Sequence, residues 1–241
     1  DVQVYGDTTD NREQRIALRA YDDYHRGRPK IAEFIVRAFL DEATLIDSFN
    51  NGELSAVAGA QSEPLSSSTS NELNIPLTGS VMIFFRTSQE ILADAKVRRA
   101  LTMATDRKEV VRALNQQSVL VDAPLLKEHI GYNPGVVQYG IDKAQAAKLL
   151  DEAGWKLDAN GTARFKGDKK LILSISTLSS VEYAAVAHNI KDQWQEVGVE
   201  VQVNSMPQAE LQLVIDERGY DALIYGIVMG TDPDQFAYWH S

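Results

Sequence analysis

Tyr220-Asp-Ala-Leu-Ile-Tyr-Gly-Ile-Val-Met229, running on into Gly230-Thr-Asp-Pro-Asp-Gln-Phe-Ala-Tyr-Trp-His240, is the stretch whose reading decides the fold. Its first half is a short, nearly continuous apolar run of the kind a buried strand requires. Gly230 and Pro233 then break the strand, so two carboxylates and three aromatics follow its C-terminal end. Working backward, Gln208 to Arg218 reads as a helix stopped by Gly219, and Val199-Glu-Val-Gln-Val203 alternates as a strand. Val181 to Glu196 reads as a long amphipathic helix closed at Gly198, and Leu171-Ile-Leu-Ser-Ile-Ser176 as a strand before it. Residues 171–228 therefore run β-α-β-α-β, which places the chain in the α/β class. In open α/β sheets, ligands bind outside the carboxyl ends of the strands.

Upstream, Asp142 starts a helix whose Ala146, Leu149, Leu150 and Ala153 form one apolar stripe closed by Gly154, with Trp155 packed beneath it. Asp158-Ala-Asn-Gly161 is a tight hairpin turn; it lacks the alternating acids and final glutamate of a calcium loop. Helices are expected from Asp94, with Val97, Ala100, Leu101 and Ala104 on one face, and again after Asp106. Arg98, Arg99, Arg107 and Lys108 read as a solvated face. Residues 115–140, with Pro124 and Pro134, read as an irregular loop, and Val81 to Phe85 as a buried strand. The polar run Ser66-Ser-Ser-Thr-Ser70 marks a boundary after residue 60. Before it, residues 1–13 read as loop, Ile16–Tyr21 and Ile31–Phe39 as strands, Asp41–Asn50 as a capped helix and Leu54–Ala58 as a strand, an order β-β-α-β.

Composition narrows the function classes. The 241 residues carry a formal net charge of -10, without a basic stripe to meet phosphates, so nucleic acid is not an expected partner. With no cysteine, disulfides and thiolate metal sites are excluded. No apolar run reaches the about 18 residues of a membrane span. The abrupt start and finish read as those of an excised fragment.

The sequence holds no phosphate loop, no G-x-S-x-G, no H-E-x-x-H and no dinucleotide fingerprint, so no cofactor is expected. The four histidines, His25, His129, His188 and His240, are scattered without metal-ligand spacing. Asp232 and Asp234 form a carboxylate pair that lacks a partner base or nucleophile. Asp232 can anchor a ligand amine through a charge-assisted hydrogen bond, or it can cap its own turn. Phe236, Tyr238 and Trp239 serve equally as ligand contacts or as core aromatics.

Several segments together resemble one family. They are Gly27-Arg-Pro-Lys30, Phe49-Asn-Asn-Gly-Glu53, Val97-Arg-Arg-Ala-Leu101 with Ala104-Thr-Asp-Arg107, and Ala147-Lys-Leu-Leu-Asp-Glu-Ala-Gly-Trp155. Trp194-Gln-Glu-Val-Gly-Val199, Tyr220-Asp221 and Asp232-Pro-Asp234 follow in order. The likeness, over about residues 14–241, is to the extracytoplasmic solute-binding proteins of peptide and nickel ABC transporters, family 5 or cluster C. It implies a periplasmic-binding-protein-like type II lobe, a mixed sheet flanked by helices, within a partial two-lobe protein. Residues 1–60 would be part of the first lobe and residues 61–241 most of the second.

The resemblance further implies a secreted or lipid-anchored protein that closes over its ligand and presents it to a membrane permease. Its cleft would draw on Met229, Gly230, Asp232, Phe236, Tyr238, Trp239, His240 and Thr177. Dipeptide-binding members place an arginine near Thr177 and an acid near Met229, and this chain has neither group. An oligopeptide held through its backbone is therefore the expected ligand. The alternatives are a non-peptide solute such as a sugar or nickel complex, a hydrolase using Asp232 and Asp234, and a receptor or scaffold acting through a partner protein.

Overall fold

The computed structural model describes residues 2–5, 13–59, 73, 78–114, 118–127, 129–136, 138–228 and 234. The chain divides into two compact units, residues 1–73 and 74–241.

The first unit is a three-stranded antiparallel sheet in the order β1-β2-β3, built from β1 (Val2–Tyr5), β2 (Glu13–Arg19) and β3 (Glu33–Ala38), followed by helix α1 (Glu42–Asn50). Asp41 caps α1 by accepting from the Thr44 amide at 2.8 Å. That hydrogen bond holds the Asp41 carboxyl below the usual carboxylate value. The order is thus β-β-β-α, where the sequence pointed to β-β-α-β. Val2-Gln-Val-Tyr5 alternates as a strand does, but its polar flanks masked it. Residues 54–58 form no strand, because the chain has just reversed through Gly52 and offers only five residues of weak alternation.

The second unit holds a four-stranded sheet in the order β4-β10-β8-β9. Strand β4 (Gly79–Phe85) leads into the short helix α2 (Glu90–Ala93), then α3 (Ala95–Ala104), α4 (Arg107–Arg112) and α5 (Lys143–Glu152). Side chains of Asp94, Asp106 and Asp142 cap α3, α4 and α5, as their positions before apolar stripes required. A small antiparallel sheet of β5 (Lys156–Leu157), β6 (Arg164–Lys166) and β7 (Lys169–Lys170) follows. Its first turn is a hairpin turn: Asp158 accepts from the amides of Thr162 and Ala163, at 2.8 and 3.2 Å. The chain then runs β8 (Ile172–Leu178), α6 (Val181–Gln195), β9 (Glu200–Met206), α7 (Gln208–Asp216) and β10 (Ala222–Val228). This is the expected β-α-β-α-β unit, with β4 added antiparallel to β10.

One core joins α3, α5 and α6 to the sheet through Leu101, Leu150, Ile175, Trp194 and Ile224, all 1% exposed or less. Strand β10 is buried on both faces. Ala222 and Ile224 enter this cluster, while Leu223 and Ile227 are buried on the alternate face. That double burial explains the unbroken apolar run in its sequence.

The signature segments of the sequence turn out to be fold devices. Trp194 donates its indole N–H to Thr105 Oγ1 at 2.9 Å, and its ring lies 6.0 Å from that of Phe85. Buried Gln193 accepts from the Asp106 amide and donates to Asn189, which ties α6 to the start of α4. Gly198 sits at φ +85, where a Cβ would lie 2.8 Å from Leu157 Cδ2 and 3.0 Å from Arg164 Cγ. Glycine is needed there on both counts. The basic residues of α3 and α4 are more than a solvated face: Arg98 caps the carbonyls of Leu92 and Ala93, and Arg107 binds Val121 O and Asp122.

Candidate ligand edge of the sheet

The parallel strands β9, β8 and β10 end at Met206, Leu178 and Val228, and antiparallel β4 begins at Gly79 opposite Val228. From β8 the chain passes through α6 to β9 on one side. From β9 it passes through α7 to β10 on the other side of β8. The seam between β8 and β10 is therefore the point where strand order reverses, and in open α/β sheets the binding crevice forms there.

This seam opens toward its C-terminal end. Strands β8 and β9 stay paired over seven positions, Ile172–Glu200 to Leu178–Met206. Strands β8 and β10 pair at Ala222–Ile175 and Leu223–Ser176. Next along the seam, the Thr177 hydroxyl donates to Ile224 O at 3.2 Å, replacing a ladder bond with a side chain. At the closed end, Asp221 clamps the two strands by accepting from the amide and hydroxyl of Ser174, at 2.8 and 2.9 Å. The Tyr220-Asp221 pair of the sequence thus sets where β10 starts.

Tyr183, in the first turn of α6, reaches across to β10 above this opening. Burial raises its phenol above the ordinary value and nearby Tyr225 adds to the rise, while the adjacent Gly226 backbone opposes it. Because the folded state resists ionising this phenol, stability is fully present below the ordinary value of 10.0 and is lost as pH rises above it. Tyr183→Phe should flatten that alkaline limb of a melting-temperature profile; an unchanged limb would place the titration elsewhere.

Of the residues expected in the cleft, Thr177 is fully buried, with its hydroxyl engaged inside the sheet as described. Asp234 is exposed. Met229, Gly230, Asp232, Phe236, Tyr238, Trp239 and His240 lie outside the described residues; β10 ends at Val228, immediately before them. Sequence reasoning missed Tyr183, Gly226 and the Asp221–Ser174 clamp. The one usable signal was a glycine inside an apolar strand, which marks close approach by another group. Among the described residues, no group of three or more His, Asp or Glu side chains is placed to hold a metal. Nor, among them, is any helix long and apolar enough to cross a membrane.

The arrangement defines a class: an α/β lobe of the type II periplasmic-binding-protein kind, a mixed sheet flanked by helices. The sequence carries the assignment further. The family described as "Bacterial extracellular solute-binding proteins, family 5 Middle" matches residues 8–241, and the chain belongs to it. Among curated relatives, the oligopeptide-binding protein AppA of Bacillus subtilis is 26% identical over 239 residues, covering 95% of this chain and 44% of AppA. The chain thus spans less than half the length of that relative. Among solved structures, NikA from Brucella suis in complex with Fe(III)-EDTA aligns with a TM-score of 0.77 at 21% identity, over 98% of this chain and 49% of NikA. AppA from Bacillus subtilis in complex with a nonapeptide aligns with a TM-score of 0.62 at 23% identity, over 98% of this chain and 48% of AppA.

Proposed function

We propose that the chain is part of the substrate-binding component of an ABC importer, which captures an oligopeptide outside the cytoplasm and delivers it to a membrane permease. The observation that carries this reading is the opened β8–β10 seam at the reversal point of the sheet, in a chain of the solute-binding family. Residues 1–60 belong to one lobe and residues 61–241 to most of the other. A ligand touching both lobes favours the closed state by its differential affinity for it.

In this reading Asp232 is the polar anchor, and Phe236, Tyr238 and Trp239 supply stacking and apolar contacts. Met229, Gly230, His240 and Thr177 complete the proposed set of ligand-site residues. The peptide preference draws on AppA, whose structure holds a nonapeptide, and on the lack of an arginine at Thr177 for a dipeptide carboxylate. A non-peptide solute is the second reading, favoured by the likeness to NikA, which holds Fe(III)-EDTA. The protein takes up its ligand without turnover, anchored at the cell surface or free in the periplasm.

Native mass spectrometry of the intact protein tests this directly. A ladder of co-purified peptide masses is the expected result. A single discrete small-molecule mass would overturn the peptide assignment and leave the transport role standing. Asp232→Ala should then weaken peptide binding about tenfold or more, the loss of one charge-assisted contact. Unchanged affinity on titration would remove Asp232 from the site.

A further inference from the structure

Gly226 carries the next inference. It lies on β10 beyond the last ladder pair with β8, on the same face as Ala222 and Ile224. An ideal Cβ at this position would lie 2.2 Å from the Tyr183 hydroxyl oxygen, 3.5 Å from Tyr183 Cζ and 3.9 Å from Val81 Cγ2. The phenol therefore occupies the space that any other residue's side chain would fill. It does so beyond the last ladder pair, where the backbone of β10 has parted from β8. Thr177 performs the matching task one step earlier, at Ile224 O. Beyond the ladder, β10 is thus met by two hydroxyls: that of Thr177 from β8, at Ile224 O, and that of Tyr183 from α6, packed on Gly226.

We propose that Tyr183 is a positioning residue of the ligand site: its hydroxyl, seated on Gly226, fixes the terminal stretch Gly226–Val228 of β10 at the ligand edge of the sheet. The proposal rests on the binding function given above and adds a residue to that site. Tyr183 acts through β10 and needs no contact with ligand. It also links ligand affinity to the first turn of α6, since any displacement of that turn moves the seat of β10.

The geometry yields a sharp variant set. Gly226→Ala collides with the hydroxyl oxygen alone, because Cζ at 3.5 Å is in ordinary van der Waals contact. Tyr183→Phe removes that oxygen, so the double variant Gly226→Ala/Tyr183→Phe accommodates the new methyl group. The experiment uses the intact protein and a fluorescein-labelled random nonapeptide pool, read by anisotropy alongside melting temperature.

Tyr183→Phe is expected to weaken binding about five- to tenfold, as the seat of β10 loosens, while its melting temperature stays within about 2 °C of wild type. Gly226→Ala should lose both affinity and melting temperature. The double variant should regain the melting temperature while binding no better than Tyr183→Phe. The proposal is overturned if Tyr183→Phe binds within about twofold of wild type. It is overturned equally if its affinity loss merely tracks a fall in melting temperature, which is what a purely structural tyrosine would give. Failure of the wild-type protein to bind the pool would remove the peptide reading, and the inference with it; failure of the variants alone to differ would remove only the inference.

Discussion

Replacing Arg164 with alanine is expected to cost the protein about 3–5 kcal/mol of unfolding free energy. The side chain is 1% exposed, yet both Nε and Nη1 find partners. Nε donates to Val197 O at 2.6 Å, and Nη1 donates to Trp155 O at 2.7 Å and to Asp151 Oδ1 at 2.8 Å. Its own backbone is engaged as well, with the amide bonded to Gly198 O at 3.0 Å. One residue thus fastens the end of α5, the small sheet and the turn between α6 and β9. Alanine would leave the Val197 and Trp155 carbonyls without their donors, at about 1–3 kcal/mol each, and a void where the guanidinium stem packed.

Asp151 itself is 45% exposed, so Asp151→Asn should cost under about 1 kcal/mol. Arg164→Lys should fall between the two, because one ammonium cannot serve three acceptors in a planar fork. Urea unfolding followed by tryptophan fluorescence reads all three variants. A cost below about 1 kcal/mol for Arg164→Ala would mean that water satisfies those carbonyls and that the guanidinium is dispensable.

Arg164 also marks the limit of what the sequence could say. The cap at Asp41 and the helix starts at Asp94, Asp106 and Asp142 were legible because a helix start is a local arrangement, settled within a few residues. The β-α-β-α-β run was legible because its periods are local too, with glycine stops at Gly198 and Gly219. Arg164 lies in Ala163-Arg-Phe165 beside a turn, where an arginine reads as surface. Only the return of the chain at Val197, 33 residues later, encloses it.

Tyr183 and Gly226 were hidden for the same reason, being 43 residues apart in sequence and in contact across the sheet edge. Val2–Tyr5 and residues 54–58 were misread because strands so short depend on whether a partner is near, and spacing alone does not report that. The candidate site divides along the same line. Its place at the C-terminal edge followed from element order. The side chains that shape the seam among the described residues, Thr177 and Tyr183 toward the edge and Asp221 at the closed end, required the register of β8 against β10.

The segments that revealed the family hold the lobe together, and Trp194 shows this most plainly. Trp194→Ala should destabilise the protein by about 3–5 kcal/mol, the range for emptying a buried aromatic site. The indole is 1% exposed and meets the Phe85 ring on β4, while its N–H closes on Thr105 at the end of α3. It therefore joins sheet, α6 and α3 at one point. Two further variants separate shape from hydrogen bonding. Trp194→Phe keeps an aromatic ring against Phe85 but removes the donor, and should cost about 1–2 kcal/mol more than the change in ring size alone.

Thr105→Val removes the acceptor and leaves the indole N–H buried without a partner, so it should cost about 1–3 kcal/mol. It also removes the Thr105 hydroxyl's bond to Leu101 O, a loss that the double variant shares. Combining Trp194→Phe with Thr105→Val takes away both halves of the pair, so its cost should fall short of the sum of the singles. Additive costs would show that the indole N–H contributes nothing through Thr105, leaving Trp194 to act by packing alone. None of these variants touches the β8–β10 seam. Peptide affinity measured below the unfolding transition should therefore stay near that of the wild type, the opposite of the pattern expected for Tyr183→Phe.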